Sequence, residues 1–284
     1  MRTVYVNGEY QPETTARISI FDRGFIFADG VYEVTAVIAG KLVDFPGHMA
    51  RLRRSLFEVE LVLPHSDDEV LEIHRQLIAR NALEEGLIYL QVSRGAADRD
   101  FMYPAEDVPP TFVMFTQKKA LIDNPVADRG QKIILVEDQR WHRRDIKTVQ
   151  LLYPVLAKNR ARRAGADDAW MVEDGCITEG CSNNAYIVTQ EGTLVTRELS
   201  TEILSGITRQ SVLKCAADLQ IRVEERPFTV DEIRQAREAF STSASGFVNP
   251  VVSVDGTAVG DGKPGPVARR LREVYIRASR AMAI

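Results

Sequence analysis

The chain has 284 residues, longer than one hydrophobic core usually serves, so two domains in one subunit are expected. Hydrophobic residues make up 45% and charged residues 27%, as in an ordinary soluble globular protein, and a net charge of -4 with Lys and Arg spread throughout argues against a nucleic-acid or membrane surface. Cys176, Cys181 and Cys215 are odd in number and lack metal-site spacing, which argues against a disulfide framework or a metal centre and for a reducing compartment. The N-terminus runs directly into a strand, leaving no room for a signal peptide, and no apolar run approaches membrane-spanning length. The expectation is a cytoplasmic protein whose partner is a small molecule.

Residues 4–6, the Asn7-Gly8 turn and Glu9-Tyr10 predict a first β-hairpin, because an Asn-Gly pair readily takes the positive φ of a tight hairpin turn. A short apolar segment, 18–21, precedes Asp22-Arg23-Gly24-Phe25-Ile26-Phe27-Ala28-Asp29-Gly30, where two glycines bracket aromatic residues before a strand over 32–38. Those glycines read as a plain turn, or as a close approach that a Cβ would block. Residues 42–45 lead into a helix over 48–58, opened by Pro46-Gly47. Met49, Leu52, Leu56 and Val59 lie on its core face and Arg51, Arg53 and Arg54 on the others. Ser66 with Glu69 is a capping-box pattern for a helix over 67–82, and strands over 88–93 and 111–116 follow. Strands with two neighbouring helices make this half an α+β domain.

Residues 121–130, with a proline and small polar residues, are expected to link domain 1–120 to a larger domain 131–284. Ile133-Ile134-Leu135-Val136 predicts a buried strand, a polar loop follows, and Lys147 stands just before a helix over 150–163. His142, Arg143 and Arg144 in that loop, close to Lys147, could face either substrate or solvent, and solvent is the default for such residues. Flanked by Ile146, Val149, Leu151 and Leu152, Lys147 would be partly desolvated, which makes an amine easier to deprotonate and nucleophilic toward a carbonyl. A lone lysine is nonetheless more often a surface residue. Strands over 169–172, 185–188 and 194–196, with turns at Asp174-Gly175 and Glu191-Gly192, predict a meander. A helix over 207–219, a strand over 221–225 and a short helix to 236 opened by Thr229 with Glu232 come next. A strand over 239–243, a hairpin turning at Asp255-Gly256 and a helix from Pro266 complete the chain.

Gly206 directly precedes the 207 helix, whose first N–H groups and partial positive charge suit a phosphate, with the Thr208 hydroxyl as a further donor. Thr178-Glu179-Gly180-Cys181-Ser182-Asn183-Asn184 sets a carboxylate among small polar residues before a strand, where, ionised, it would accept a hydrogen bond from a protonated ring nitrogen. Each pattern alone is common on surfaces that bind nothing. An amine, a phosphate cradle and a carboxylate partner together are what pyridoxal phosphate requires: a lysine for its aldehyde, a helix start for its phosphate, and a carboxylate that keeps its ring nitrogen protonated.

Phe27-x-Asp29-Gly30-Val31-Tyr32-Glu33, His48-x-x-Arg51-Leu52, Asp145-Ile146-Lys147, Thr178-Glu179-Gly180-x-Ser182-x-Asn184 and Gly206-Ile207-Thr208-Arg209 succeed one another over almost the whole chain. In that order and spacing the sequence resembles the class IV (fold type IV) pyridoxal-phosphate aminotransferases, most nearly those acting on D-amino acids. The resemblance implies an α+β subunit of two domains with the cofactor at their interface, assembled as a homodimer. It implies that Lys147 bonds the cofactor aldehyde and then moves the proton between substrate Cα and cofactor as general acid and base. Glu179 would pair with the pyridine nitrogen and Leu204 would pack on one ring face. Arg51, Ile207, Thr208 and the segment Ser243-Ala244 would hold the phosphate. Tyr32, Val34, Arg99 and Phe101 would line the substrate.

Two departures from the family pattern bear on specificity. Where such enzymes typically carry Arg-x-His, this chain has Arg99-Asp100-Phe101: Arg99 keeps a charge-assisted bond to a carboxylate, whereas Phe101 removes a donor and makes the pocket more apolar. Ala244 stands where relatives often have threonine, leaving Ser243 or backbone N–H groups to the phosphate. The implied activity is ping-pong transamination between a D-amino acid such as D-alanine and a 2-oxo acid such as 2-oxoglutarate. An (R)-selective amine or broad-specificity transaminase, a branched-chain L-amino acid aminotransferase, an aminodeoxychorismate lyase and a non-catalytic cofactor-binding relative are the alternatives.

Overall fold

Asn7 and Gly8 take φ of 47° and 98°, the turn geometry anticipated for them, so β1 (Thr3–Val6) and β2 (Glu9–Pro12) pair antiparallel with Val6 opposite Glu9. The computed structural model describes residues 1–284. They form two units: Met1–Ala120 with Ile146–Gln150 and Met282–Ile284, and Leu121–Asp145 with Leu151–Ala281.

In the first unit the hairpin is followed by α1 (Arg23–Phe27), β3 (Gly30–Ile38), β4 (Lys41–Leu42), α2 (Phe45–Glu58), α3 (Asp67–Asn81), β5 (Glu85–Ser93) and β6 (Thr111–Lys118). The six strands form one sheet in the order β2-β1-β6-β5-β3-β4. Alternation along β3, β5 and β6 turns Val31, Ile88, Leu90, Phe112 and Met114 toward the core they share with Leu52 and Leu56 of α2 and Val70 and Leu77 of α3. Tyr32, Val34, Tyr89 and Phe115 point to the other face and are half-buried. The capping box of Ser66 and Glu69 is formed. Residues 18–21 differ from the apolar segment expected: Ile18, Ile20 and Phe21 are exposed. The glycine-bracketed stretch after them is not a plain turn but α1, capped by the Asp22 side chain on Gly24 N–H and ended by Ala28 at φ 56°. Five residues are too few for a periodic signal.

His74, on α3, is fully buried beneath the edge of the Phe45 ring, with Nδ1 2.8 Å from the Val70 carbonyl oxygen. Burial, with the nearby His48, pushes its imidazole down to about 4. The folded state therefore binds fewer protons than the unfolded state below the ordinary histidine value of about 6.5, so the stability is complete above that pH and is lost as pH falls toward 4. Between pH 7.5 and 5 this residue is expected to remove about 2 kcal/mol of stability. Thermal unfolding of His74→Asn, compared with the parent at both pH values, checks this. A variant that loses as much stability on acidification as the parent would refute it.

The second unit contains α4 (Pro125–Arg129), β7 (Gln131–Glu137), α5 (Leu152–Arg163), β8 (Asp168–Glu173), β9 (Cys176–Gly180), β10 (Asn184–Val188), β11 (Leu194–Thr196), α6 (Ile207–Asp218), β12 (Val223–Glu225), α7 (Val230–Gln235), β13 (Glu238–Ser243), β14 (Phe247–Val254), β15 (Thr257–Ala258) and most of α8 (Pro266–Met282). Its sheet runs β12-β11-β10-β13-β14-β7-β8-β9, with β15 on β14. The meander expected over 169–196 is divided: β8–β9 and β10–β11 are separate antiparallel pairs, with β13, β14 and β7 between them. β7 and β8 pair in parallel, which requires a crossover, and residues 138–167 with α5 supply it. Residues 121–130 pack within this unit, Leu121 buried and Asn124 capping α4.

Candidate active site

The crossover between β7 and α5 delivers residues 146–150 to the first unit, where they add to the edge of β3. Thr148 bridges Val31, Tyr32 N donates to the Lys147 carbonyl (3.0 Å), Val149 N to that of Gly30 (3.0 Å), and Lys147 N to Ser55 Oγ (3.3 Å). Ile146 is buried beside it. Lys147 is therefore not at a strand-to-helix junction; α5 begins at Leu152, and the lysine is held by strand-like pairing to a distant element. Its Nζ donates to Tyr32 Oη at 3.3 Å and lies 4.3 Å from the Tyr32 ring centroid. Tyr32 stacks on Tyr89 (5.5 Å), and Tyr89 on Phe115 (4.8 Å). Val34 sits opposite Tyr89 in register. Burial pushes the Tyr89 hydroxyl well up, so it remains a donor, to Gln91 Oε1 at 2.7 Å.

On the core face of β3, next to Tyr32, Glu33 accepts Arg51 Nε on Oε1 (2.7 Å) and Arg51 Nη2 on Oε2 (2.8 Å), and its Oε2 lies 2.8 Å from His48 Nδ1. Burial alone would raise the Glu33 carboxyl, but the Arg51 guanidinium and His48 outweigh it and hold it well below the usual carboxylate range. The helix arginine expected away from the core is thus 9% exposed and pairs beneath the sheet. Its side chain follows the partner, which lies 18 positions upstream, rather than the helical period.

In the second unit Glu179 lies on β9, a strand that a run of Thr, Glu and Gly did not announce. The side chain is 6% exposed. Oε1 accepts Arg140 Nη1 at 2.6 Å; Oε2 accepts the Leu204 N–H at 3.1 Å and Asn184 Nδ2 at 3.2 Å. A carboxylate has about four acceptor positions, so room for a further N–H remains. Burial pushes the Glu179 carboxyl up, and the Arg140 guanidinium opposes the shift. Arg140 is itself held by Asp138 through Nε (2.9 Å) and Nη2 (2.7 Å), and Asp138 also accepts Thr178 Oγ1 at 2.6 Å. Asp138 and Arg140 had no signal in the sequence beyond polar loop residues. Arg144, expected in solvent, is fully buried against Asp138 and Glu173. His142 is 80% exposed as expected, and Arg143 pairs with Asp145.

Asn184 Nδ2 also donates to the Leu204 carbonyl at 2.9 Å, drawing residues 204–206 close. A Cβ on Gly206 would come within 2.0 Å of Asn184 Oδ1, so glycine is required there by space rather than by φ, which is -66°. Gly206 is the N-cap of α6 and no side chain caps the helix. Ile207 and Thr208 of the first turn are buried. Ser243, at the end of β13, has Oγ 3.5 Å from Ser245 Oγ, and Ala244 beside it is half-buried. Arg99 and Phe101 are exposed and do not join Lys147 and Tyr32; their side chains gather around Phe27, the Arg99 guanidinium 5.2 Å from its ring centroid and 5.5 Å from that of Phe101.

Each unit by itself carries groups of the kind pyridoxal phosphate needs: the first an amine beside a phenol, the second a caged carboxylate with acceptor capacity left and an uncapped helix start with an adjacent hydroxyl. The family profile described as "Amino-transferase class IV" matches residues 30–254. The D-alanine aminotransferase of Staphylococcus aureus (strain MSSA476) is 40% identical over 277 residues, 97% of this chain and 97% of its own. That of Bacillus licheniformis is 37% identical over 271 residues, 95% and 94% of the two chains. Among solved structures, a branched-chain amino acid aminotransferase from T.th., complexed with N-(5'-phosphopyridoxyl)-L-glutamate, superposes with a TM-score of 0.88 at 27% identity, covering 99% of this chain and 94% of that one.

Proposed function

The chain belongs to the class IV aminotransferases, and from that premise we propose that it is a pyridoxal-phosphate-dependent transaminase exchanging the amino group between a D-amino acid such as D-alanine and a 2-oxo acid such as 2-oxoglutarate. The observation that carries this reading is the Lys147 amine, fixed by three main-chain bonds around it and resting on Tyr32 Oη, in a chain 40% identical to a D-alanine aminotransferase. When bound, the cofactor supplies an aldehyde for an amine and a protonated ring that withdraws electrons from the substrate Cα.

Lys147 Nζ would take the proton from the substrate Cα and deliver it to the carbon of the cofactor's former aldehyde, with Tyr32 Oη orienting the amine. Glu179 would accept the ring N–H, with the Arg140 guanidinium opposing the upward push that burial gives its carboxyl. The first-turn N–H groups of Ile207 and Thr208, the Thr208 hydroxyl, Ser243 and the backbone at Ala244 would hold the phosphate together with Arg51, whose Nε and Nη2 are oriented by Glu33, and Leu204 would cover a ring face. Tyr32 and Val34, beside Lys147, would select the substrate, and Arg99 and Phe101, which stand apart from Lys147 within one chain, would do so in the homodimer, with Arg99 as the carboxylate anchor. The same reading makes the enzyme a cytoplasmic homodimer; no helix is long and apolar enough to cross a membrane.

The test is a half-reaction followed by absorbance, with the cofactor-loaded enzyme mixed in turn with D-alanine, L-leucine and (R)-1-phenylethylamine. D-alanine is expected to bleach the band of the loaded enzyme fastest. Phe101 is the residue that favours a second reading, an (R)-selective amine or broad-specificity transaminase. Bleaching by the amine with D-alanine inert would establish that reading in place of the first.

A further inference from the structure

The stretch from Asp22 to Gly30 takes no part in the chemistry above, yet it is built with close tolerances. A Cβ on Gly24 would lie 2.7 Å from that of Ser93, and Asp22 accepts both the Gly24 N–H and Ser93 Oγ at 2.8 Å. At its far end Asp29 Oδ2 accepts two guanidinium groups, Arg23 Nε and Arg94 Nε, each at 2.8 Å. All three side chains are largely buried.

Both arginines reach onward. Arg23 Nη1 donates to the carbonyl oxygens of Asp100 (2.7 Å) and Met102 (3.3 Å). Arg94 donates to those of Glu60 (2.9 Å) and Val59 (2.6 Å), and its guanidinium lies 3.8 Å from the ring centroid of Tyr103. The base of the same loop is tied by Arg23 N to the Gly95 carbonyl (2.8 Å) and Arg94 N to that of Asp29 (3.2 Å). What the Arg23 bonds and the Arg94–Tyr103 contact hold is a surface: Phe101 is 78% exposed and Met102 75%. Side chains that far from a core do not order a loop, whereas main-chain carbonyls fastened to a buried guanidinium do. The two arginines share one carboxylate oxygen, so without its charge they would repel each other and release the loop.

We propose that Asp29, acting through Arg23 and Arg94, is a positioning residue for the 99–103 loop and thereby for Arg99 as receiver of the substrate carboxylate. This rests on the role given to Arg99 above. A preformed loop presents the guanidinium without ordering cost at the moment of binding.

Single-turnover half-reactions of the cofactor-loaded enzyme with D-alanine give an apparent Kd and a limiting rate for the parent, Asp29→Asn, Arg99→Gln and the double variant. Loss of a charged, buried hydrogen-bond acceptor is expected to raise the apparent Kd in Asp29→Asn about 10-fold, with the limiting rate within about 3-fold and the affinity for pyridoxal phosphate unchanged. If Asp29 acts through Arg99, the double variant binds D-alanine no more weakly than Arg99→Gln alone. Additive losses, or an unchanged Kd in Asp29→Asn where Arg99→Gln weakens binding, overturn the inference. An Arg99→Gln enzyme that binds D-alanine like the parent overturns the anchor role itself, and the inference with it. Should Asp29→Asn not accumulate as folded holoenzyme, Arg94→Met, which keeps the Arg23–Asp29 pair, is expected to shift Kd in the same direction by less; no shift there is equally decisive against the inference.

Discussion

Lys147→Ala is expected to lower the rate of the D-alanine half-reaction by about 10,000-fold or more, the range that loss of a positioned proton-transfer group reaches. No neighbour substitutes for it: Tyr32 Oη is the polar group in contact with Nζ, and the Tyr32 hydroxyl accepts from the amine rather than taking its place. Such a loss corresponds to about 5.5 kcal/mol of barrier. The fold should hardly register the change. The bonds that fix residues 146–149 on β3 and Ser55 run through the main chain, and alanine keeps every one. Thermal unfolding of the variant is therefore expected within about 1 kcal/mol of the parent, as for a half-buried side chain with one hydrogen bond. A variant that retains more than about a hundredth of the rate would remove Lys147 from the chemistry. A variant that is inactive because it has unfolded would show that the side chain, not the main chain, holds the segment.

Glu179→Gln is expected to act on both rate and stability, because three donors converge on that carboxylate. A glutamine offers one oxygen to Arg140 Nη1, Asn184 Nδ2 and the Leu204 N–H, and turns its own N–H groups toward whichever is left. Stranding one of them in a buried site costs about 1–3 kcal/mol, more if the guanidinium is the one stranded. The chemical effect is larger. A neutral amide does not hold a ring nitrogen protonated, and removing one preorganised electrostatic partner is expected to slow turnover by about 100- to 1,000-fold. The absorbance band of the loaded enzyme should shift in the same variant, since the protonation of the ring changes. Activity within about 3-fold of the parent would remove Glu179 from this role. Asp138, which anchors Arg140 from the other side, makes the carboxylate's charge part of a connected array rather than an isolated buried ion.

The sequence by itself determined the devices whose partners lie within a few positions. Asn7-Gly8 closes a hairpin, Ser66 with Glu69 and Thr229 with Glu232 cap helices, and Gly206 starts α6, because turn dihedrals and caps are settled by adjacent residues. It also carried the family, since Lys147, Glu179 and the Gly206-Ile207-Thr208 start are legible as residue types in order. Only the tertiary structure decided what those residues touch. Lys147 meets Tyr32 across 115 positions and takes its place from strand pairing, not from the helix that follows it. Arg51 leaves the exposed face its spacing suggests because Glu33 is buried 18 positions upstream. Glu179 meets Arg140, 39 positions away in a loop that reads as solvent, and Asp29 is joined to the carbonyls of Asp100 and Met102 through the buried Arg23. The physical reason is the same in each case: burial and charge pairing are set by partners brought together through the sheet, and neither hydrophobic period nor local spacing records which distant carboxylate a guanidinium or amine will find.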